Sequence, residues 1–264
     1  MKIIGEKING TRKRVARAIA ERDAEFIKDL ASRQAEAGST WLDVNAGTHP
    51  DKEPEDLIWL IENIQSVVDT PLCLDSANPE ALKVAIKAVD KTPMINSISG
   101  EPERLEKILP LVAEHGCEVI ALAMDEKKIP ETYEKRIEVI EKVMEAVHAA
   151  GVEDDKVYVD PLAMTIATAN QSAVIACETI SAVHGAYPEV HFTMGLSNIS
   201  FGLPSRKQIN RGLLILAMQA GLDSAIMDPL DKDLQAAIVT TEMLLGRDEY
   251  CMNYLRASRK GLFE

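Results

Sequence analysis

The sequence predicts an α/β protein, a single (β/α)8 barrel of the TIM type spanning residues 1–264. Short apolar runs alternate with amphipathic helical patterns along the whole chain of 264 residues. About eight such strand–helix units fit into it, which is close to the usual size of this barrel. The runs lack strict polar alternation, as expected for strands that are buried on both faces. No linker or low-complexity segment divides the chain.

The expected strands are the runs rich in Val, Ile, Leu and Met. In chain order they are Lys2–Gly5, Thr40–Asn45, Pro71–Asp75, Pro93–Ser97, Glu118–Met124, Val157–Asp160, Val190–Gly195 and Ser224–Asp228. Each is short, and each is followed by a polar turn before the next helical pattern begins.

The helical patterns between these runs have apolar stripes and boundary signals. One stripe consists of Tyr133, Ile137, Ile140, Met144 and Val147. Gly151 follows this stripe and is expected to end the helix, because glycine is favoured just past a helix C-terminus. The segments 78–80 and 130–131 are expected helix starts, since each has a proline early and an acidic residue in the first turn.

A doubly wound open sheet is the alternative fold. It would favour a glycine-rich phosphate loop after an early strand, and neither a G-x-G-x-x-G motif nor a P-loop is present. The barrel makes a sharper prediction, because functional groups in this fold lie at the C-terminal ends of the strands.

Composition excludes several classes of function. The net charge of −13 argues against binding to nucleic acid, which requires Lys and Arg against phosphates. No apolar run is long enough to span a bilayer and no signal peptide begins the chain, so a cytoplasmic protein without membrane contact is expected. Four cysteines lack Cys-x-x-Cys spacing and do not cluster with the histidines, so reduced thiols and no metal site are expected.

Polar side chains recur where the predicted strands end. They are Glu6 and Asn9 after the first strand, Asp43 and Asn45 in the second, Asp75 in the third, Asn96 and Ser97 in the fourth, Asp160 in the sixth, Ser197 and Asn198 after the seventh, and Asp228 in the eighth. Singly, such residues are more often turn formers or helix caps. Because a barrel brings all these ends to one mouth, they predict a ring of carboxylates and carboxamides with almost no Lys or Arg.

Such a ring suits a flat heterocycle with an amino-pyrimidinone edge. A carboxylate can accept hydrogen bonds from a ring N–H and the adjacent exocyclic amine, and asparagine offers both a donor and an acceptor. No strong nucleophile or Schiff-base lysine is evident at the strand ends. Aromatic residues make up only 4% of the chain, which disfavours a sugar site. The residues therefore favour a barrel that binds and polarises a heterocycle.

Seven motifs carry a family resemblance over nearly the whole chain. They are GEKIN (5–9), LDVNAG (42–47), LCLDS (72–76), MINS (94–97), VDPL (159–162), GLSNISFGLP (195–204) and MDPL (227–230). In this order they resemble the pterin-binding methyltransferases, which include methyltetrahydrofolate:corrinoid protein methyltransferases and the folate domain of cobalamin-dependent methionine synthase. The resemblance implies a homodimeric TIM barrel that binds tetrahydrofolate at the strand C-termini.

The resemblance also implies roles for individual residues. Asp75, Asn96 and Asp160 would hydrogen-bond the pterin, Glu6 would lie near it, Gly195 and Ser197 would shape the pocket wall, Asn198 would reach N5 of the folate, and Arg206 would lie near the folate tail or the loop that carries Asn198. Asn9, Asp43, Asn45, Ser97 and Asp228 are secondary candidates. The glycine-bracketed loop 195–202 would let Asn198 swing toward N5.

The implied reaction is methyl transfer between N5 of tetrahydrofolate and the cobalt of a corrinoid. No Asp-x-His-x-x-Gly motif for a lower corrinoid ligand is present, so a separate corrinoid protein is expected as partner. A non-catalytic folate-binding subunit is an alternative. A dihydropteroate synthase-like enzyme is another, although its Ser-Thr-Arg-Pro-type loop is replaced here by Ala46-Gly47-Thr48-His49-Pro50.

Overall fold

The structure, a computed structural model, describes residues 1–126 and 128–264. Its eight strands are β1 (Lys2–Asn9), β2 (Trp41–Asn45), β3 (Leu72–Asp75), β4 (Met94–Ser99), β5 (Glu118–Leu122), β6 (Val157–Asp160), β7 (His191–Phe192) and β8 (Ser224–Met227). The described residues form ten α-helices: α1 (Lys13–Glu21), α2 (Ala24–Glu36), α3 (Glu53–Gln65), α4 (Pro79–Ala88), α5 (Pro102–His115), α6 (Tyr133–Ala149), α7 (Ser172–Ala186), α8 (Arg206–Ala220), α9 (Lys232–Leu244) and α10 (Met252–Arg259).

The strands form a nearly closed parallel barrel, as predicted. Each pairs with its sequence neighbour from β1 to β7, and β8 pairs with β1. The remaining seam between β7 and β8 is joined by a parallel bridge from Gly195 to Ile226, where the Ile226 amide donates to the Met194 carbonyl at 2.9 Å. This closure excludes the doubly wound open sheet.

Some element boundaries differ from the expected ones. β1 continues past Gly5 to Asn9, with a shift of register against β2 between Gly5 and Ile8. β7 spans only two residues. Beyond Phe192, the Thr193 amide still donates to the Val159 carbonyl of β6 at 3.0 Å, and the Met194 carbonyl then accepts from the Ile226 amide of β8 across the seam. Regular strand structure therefore ends at Phe192.

The two predicted helix starts had different outcomes. Asn78 caps α4 as expected, with its Oδ1 accepting from the Glu80 amide at 3.1 Å. The predicted start at residues 130–131 is wrong, since α6 begins at Tyr133 after the cap residue Thr132. Pro130 lies in the preceding loop, where its carbonyl accepts a hydrogen bond from the Arg136 side chain.

The core has an outer and an inner part. The outer part packs the helices against the strands. The inner part is a separate layer with one side chain from each of the first six strands, namely Ile4, Trp41, Cys73, Met94, Ile120 and Tyr158. Such layers fill the interior of a barrel, so the lower end is packed and closed.

Two further sequence expectations concern membranes and thiols. No helix in the described part of the chain is both long and apolar enough to cross a membrane. All four cysteines are free. Cys73 and Cys117 are buried, Cys177 is half-buried and Cys251 is exposed.

Candidate functional site at the barrel mouth

The polar ring lies one layer above the apolar interior of the barrel. Side chains two residues apart on a strand point to the same face. Two residues beyond five members of the inner layer come Glu6, Asp43, Asp75, Asn96 and Asp160. The strand register aligns them, since Asp75 pairs with Asn96 and Asp160 pairs with Leu122. Five predicted site residues therefore share the inward face at the C-terminal end.

Asparagine and aspartate side chains form a network across β2, β3 and β4. Asn45 Nδ2 donates to Asp75 Oδ2 at 2.9 Å, and Asn96 Nδ2 donates to Asp43 Oδ1 at 3.2 Å. Asn45 Oδ1 is buried and has no hydrogen-bond partner in the described structure. Buried acceptors are rarely left unpaired, so this oxygen is suited to a donor on a ligand.

Burial makes this network electrostatically unusual. It raises the pKa of Asp43 well above its ordinary value, and the nearby charge of Asp75 adds to the shift. Burial also raises the pKa of Asp75, while the hydrogen bond from Asn45 opposes that shift. Two close carboxyls cannot both ionise cheaply, so the pair favours a proton on Asp43. Asp75 then remains the better acceptor for a ligand N–H.

Asp160 is a third buried carboxyl, on the opposite side of the ring. Its Oδ1 accepts from the Leu162 amide at 2.7 Å. Burial raises the pKa of Asp160 to about 6, and the amides of Leu162 and Gly195 and the charge of Arg136 oppose the shift. Asp160 is therefore mainly ionised at neutral pH, in a place where an N–H donor would be bound strongly.

Glu6 links the ring to the loop after β7. Ser197 Oγ donates to Glu6 Oε2 at 3.1 Å, and Arg12 forms an ion pair with Glu6 Oε1 at 2.7 Å. The charge of Glu6 also raises the pKa of Asp43, which places it close to the network on β2. A cavity of about 230 Å³ opens beside this group, lined in part by Arg206 and Asp228.

Asn198 lies on a short 3-10 turn, Leu196–Ser200, and its side chain is exposed. Arg206, at the start of α8, fixes this turn: its Nη2 donates to the Ser197 carbonyl at 2.7 Å and its Nε donates to Ser200 Oγ at 3.0 Å. The backbone of the loop is thus held at two points. The Asn198 side chain is exposed on this fixed turn and lies beside Gly195.

The remaining candidates have local partners. Asn9 Oδ1 accepts from the amide and the hydroxyl of Thr11, which stabilises the turn after β1. The Ser97 carbonyl accepts from Arg104 Nη1 at 3.1 Å. Asp228 forms an ion pair with Lys7 at 2.7 Å and accepts from the Leu230 amide. Asn9 and Asp228 therefore stabilise the turns after β1 and β8, whereas Ser97 is a buried residue within β4.

The expectation of almost no Lys or Arg near the ring is wrong. Arg12 and Lys7 pair with Glu6 and Asp228, while the charge of Arg104 opposes the upward pKa shift of Asp75. Sequence reasoning missed these residues because they reach the ring through long side chains, Lys7 from β1, Arg12 from the loop after β1 and Arg104 from α5. The motif GEKIN contains Lys7, which is the one signal that could have found a member of the set.

Gly195 leaves room for Asn198. A Cβ at position 195 would lie 2.8 Å from Asn198 Nδ2, too close for a normal contact, and the φ of Gly195 is −70°, which any residue can adopt. We expect Gly195→Ala to leave the melting temperature within about 2 °C, because the displaced atom ends a flexible side chain. Any activity that depends on the Asn198 side chain should fall at least about tenfold, because that side chain is forced out of position. Gly212→Ala, with no neighbouring atom within 4 Å, is the matched control.

A metal centre has no support in the described part of the structure, where no group of three or more His, Cys, Asp or Glu side chains is arranged to hold an ion. The site instead consists of buried carboxyls, carboxamides and one exposed asparagine. That donor and acceptor set matches the amino-pyrimidinone edge of a pterin.

Comparison with known proteins defines the class. The model of the family described as pterin binding enzyme matches residues 5–228. This chain belongs to that family, which confirms the resemblance seen in the motifs.

Individual relatives are more specific. The chain is 42% identical over 263 residues to a methylcorrinoid:tetrahydrofolate methyltransferase from Eubacterium limosum, covering 99% of this chain and 97% of the relative. It is 34% identical over 238 residues to methionine synthase from Mycobacterium leprae, covering 85% of this chain and 20% of that enzyme. These relatives bear out the methyltransferase class expected from the sequence.

Solved structures share the fold at lower identity. Dihydropteroate synthase from Xanthomonas albilineans aligns with a TM-score of 0.68 at 19% identity, covering 93% of this chain and 92% of that one. The Yersinia pestis dihydropteroate synthase aligns with a TM-score of 0.66 at 18% identity, covering 93% of each. At this identity the likeness shows a common barrel and nothing about activity.

Proposed function

We propose that this chain transfers a methyl group between N5 of tetrahydrofolate and the cobalt of a corrinoid carried by a separate protein. The observation that carries the proposal is the 42% identity over 99% of the chain to a methylcorrinoid:tetrahydrofolate methyltransferase. The site geometry supports it, because the polar ring offers the acceptors that a pterin edge requires.

Pterin binding is assigned to the inward layer. Asp160 and Asp75 would accept hydrogen bonds from the ring N–H and exocyclic amine groups, and the unpaired Asn45 Oδ1 would accept another. Asn96, held by Asp43, would supply a further polar contact. Hydrogen bonds to ionised groups stabilise more than neutral ones, and burial strengthens them, so the carboxylates dominate affinity.

Asn198 is assigned the role of activating N5 of the folate during methyl transfer. The corrinoid, when its own protein presents it, supplies the cobalt centre that takes or gives the methyl group. N5 leaves poorly unless a donor stabilises the electron pair that it gains as its bond to the methyl carbon breaks. The Asn198 amide can donate to N5 at that moment, which is where a positioned dipole lowers the barrier most. The reverse direction uses the same contacts.

The proposal includes the partners implied by the family. The corrinoid comes from a separate protein, and the chain works as a homodimer in the cytoplasm. The exposed side chain of Phe201, next to the Asn198 turn, adds an apolar contact on the side of the mouth where a second protein must approach. Free cysteines fit a reducing compartment.

Two alternatives predict different behaviour. A non-catalytic folate-binding subunit would bind methyltetrahydrofolate without transferring the methyl group. A dihydropteroate synthase-like enzyme is supported only by the shared barrel at 16–19% identity. Its characteristic loop after β2 is absent from the sequence at residues 46–50.

The test is to mix the purified protein with reduced cob(I)alamin and methyltetrahydrofolate under anaerobic conditions. The reaction is monitored by the absorption spectrum of the corrinoid. Formation of methylcobalamin at a rate proportional to protein concentration is the expected result. Binding of the folate without spectral change, even when the corrinoid protein is supplied, would favour the carrier. Absence of folate binding by calorimetry would overturn the pterin assignment itself.

A further inference from the structure

We propose that Arg136 is a positioning residue that fixes Asp160 in place for pterin binding. This inference rests on the proposed function, because it concerns how the folate site is held. Arg136 lies in the first turn of α6, far along the chain from the ring, and its side chain is only 2% exposed. It belongs to none of the motifs found in the sequence.

The guanidinium of Arg136 binds backbone rather than a carboxylate. Its Nε donates to the Pro130 carbonyl at 3.0 Å, and its Nη1 donates to the carbonyls of Pro161 and, at 3.0 Å, Leu162. Pro130 lies in the loop after β5, and Pro161 and Leu162 lie in the loop after β6. One side chain therefore joins the two loops that flank the C-terminal end of β6.

The Leu162 peptide unit connects Arg136 to Asp160. Its carbonyl accepts from Arg136, while the Leu162 amide donates to Asp160 Oδ1 at 2.7 Å. Leu162 has a φ of +61°, a left-handed conformation that is costly for a residue with a branched side chain. Such a backbone persists only where its surroundings hold it, and the Arg136 fork holds both carbonyls of this turn.

Helix stability does not explain this arginine. A cation in the first turn of a helix opposes the helix dipole, and a buried charge is costly to desolvate. Burial lowers the pKa of the Arg136 guanidinium, and the charge of Asp160 opposes that shift. An apolar residue would fill the space at a lower desolvation cost. The role of Arg136 therefore depends on the hydrogen bonds of its guanidinium group and on its positive charge.

Arg136 also acts on the ionisation of Asp160. The groups that act on this carboxyl are Arg136 from α6, the Leu162 amide from the loop after β6, and the Gly195 amide from the loop after β7. Loss of the arginine charge raises the Asp160 pKa further, and loss of the turn removes a hydrogen bond as well. Both effects favour the protonated carboxyl, which accepts a pterin N–H less well.

The test compares Arg136→Met and Arg136→Lys with Lys135→Met, a matched control that removes an exposed charge from the same helical turn. The dissociation constant of methyltetrahydrofolate is measured by calorimetry from pH 5.5 to 8. For Arg136→Met we expect at least about a tenfold rise, because small misplacements of binding groups cost this much. The pH below which binding is lost should move upward. Lys135→Met should match the wild type.

Arg136→Lys separates charge from geometry. The ammonium keeps the positive charge, so the pH profile should return toward that of the wild type, but it cannot hold three carbonyls in a planar fork, so affinity stays reduced. In an Asp160→Asn background, Arg136→Lys should cause no further loss, because interacting residues are non-additive. Equal losses in both backgrounds, or wild-type affinity of Arg136→Lys, would overturn the proposal.

Several outcomes remain interpretable if a variant is unstable. If Arg136→Met fails to fold, the proposal is tested with Arg136→Lys alone, by its methyltetrahydrofolate affinity in the wild-type and Asp160→Asn backgrounds. If the wild type binds methyltetrahydrofolate and Arg136→Lys binds it equally well, only this inference fails. If the wild type binds none, the proposed function fails and this inference with it.

Discussion

Replacing Asn198 by alanine should lower the rate of methyl transfer by about 100-fold or more, the usual effect of removing one donor that stabilises developing charge. The affinity for methyltetrahydrofolate should change less than about threefold, because the proposed contact to N5 would strengthen only as the bond to the methyl carbon breaks. Single-turnover formation of methylcobalamin and calorimetric binding measure the two quantities separately. Stability should not change, since the Asn198 side chain is exposed.

The matched control for this prediction is Asn170→Ala. Asn170 is an exposed asparagine on the neighbouring loop after β6, and it lines a different cavity. It should retain wild-type transfer. A loss of binding as large as the loss of rate in Asn198→Ala would mean that Asn198 holds the ground state, and the assigned role in the transfer step would be wrong.

The fold and much of the ring could be predicted because both depend on periodicity. Apolar runs alternating with amphipathic helices define the barrel, and the period of two along a strand places Asp43 on the same face as Trp41, and Asp160 on the same face as Tyr158. Adding two residues to five of the six members of the inner layer yields the polar layer, and the sixth, Ile120, leads to Leu122. The pattern therefore specifies the ring directly.

Side chains that enter the ring from elsewhere had no such pattern. Arg136 lies on a helix, where an arginine is normally a solvated residue, and its burial depends on two loops whose approach only the folded chain reveals. Lys7 and Arg12 similarly reach Asp228 and Glu6 by ion pairing. Long flexible side chains meet partners that sequence spacing does not encode.

The sequence pattern also did not predict where the seventh strand ends and the following loop begins. The run from Val190 to Gly195 has the composition of a full strand, yet the regular strand is His191–Phe192. The reason is the barrel seam, where the backbone after Phe192 bonds to the Ser224–Met227 strand. Register at a closing seam depends on the geometry of all eight strands, so local composition cannot predict it.

Replacing Asp160 by asparagine should change stability and folate affinity in opposite directions. Burial raises the pKa of Asp160 from 3.8 to about 6. The carboxyl therefore stabilises the fold fully only below its unfolded pKa, and this contribution is lost as the pH rises through about 6. Above pH 7, this pKa shift lowers the free energy of unfolding by about 3 kcal/mol relative to a carboxyl whose pKa is the same in the folded and unfolded states. Asp160→Asn carries no charge to bury, so it should unfold at higher denaturant concentration than the wild type, with a gap that widens from about pH 4 to about pH 6 and is constant above that.

Folate affinity should fall in the same variant. On the proposed assignment, the ionised carboxyl would accept two N–H groups of the pterin edge, whereas the amide can accept only through its oxygen and would present its NH2 to a donor. We expect a loss of about 10- to 100-fold at pH 7.5, in line with removal of a charged hydrogen bond. The wild-type affinity should itself decline as the pH falls through about 6, and that of Asp160→Asn should not.

The matched control for Asp160 is Asp223→Asn, a carboxyl at the opposite end of the barrel that accepts from the Phe192 amide and contacts His191. It should leave folate affinity unchanged. A residue kept only for the fold would lose stability when replaced, so a stabilised Asp160→Asn that binds folate weakly shows a charge held at a cost for its ligand. Stabilisation with unchanged folate affinity would instead show that the pterin edge lies elsewhere in the mouth.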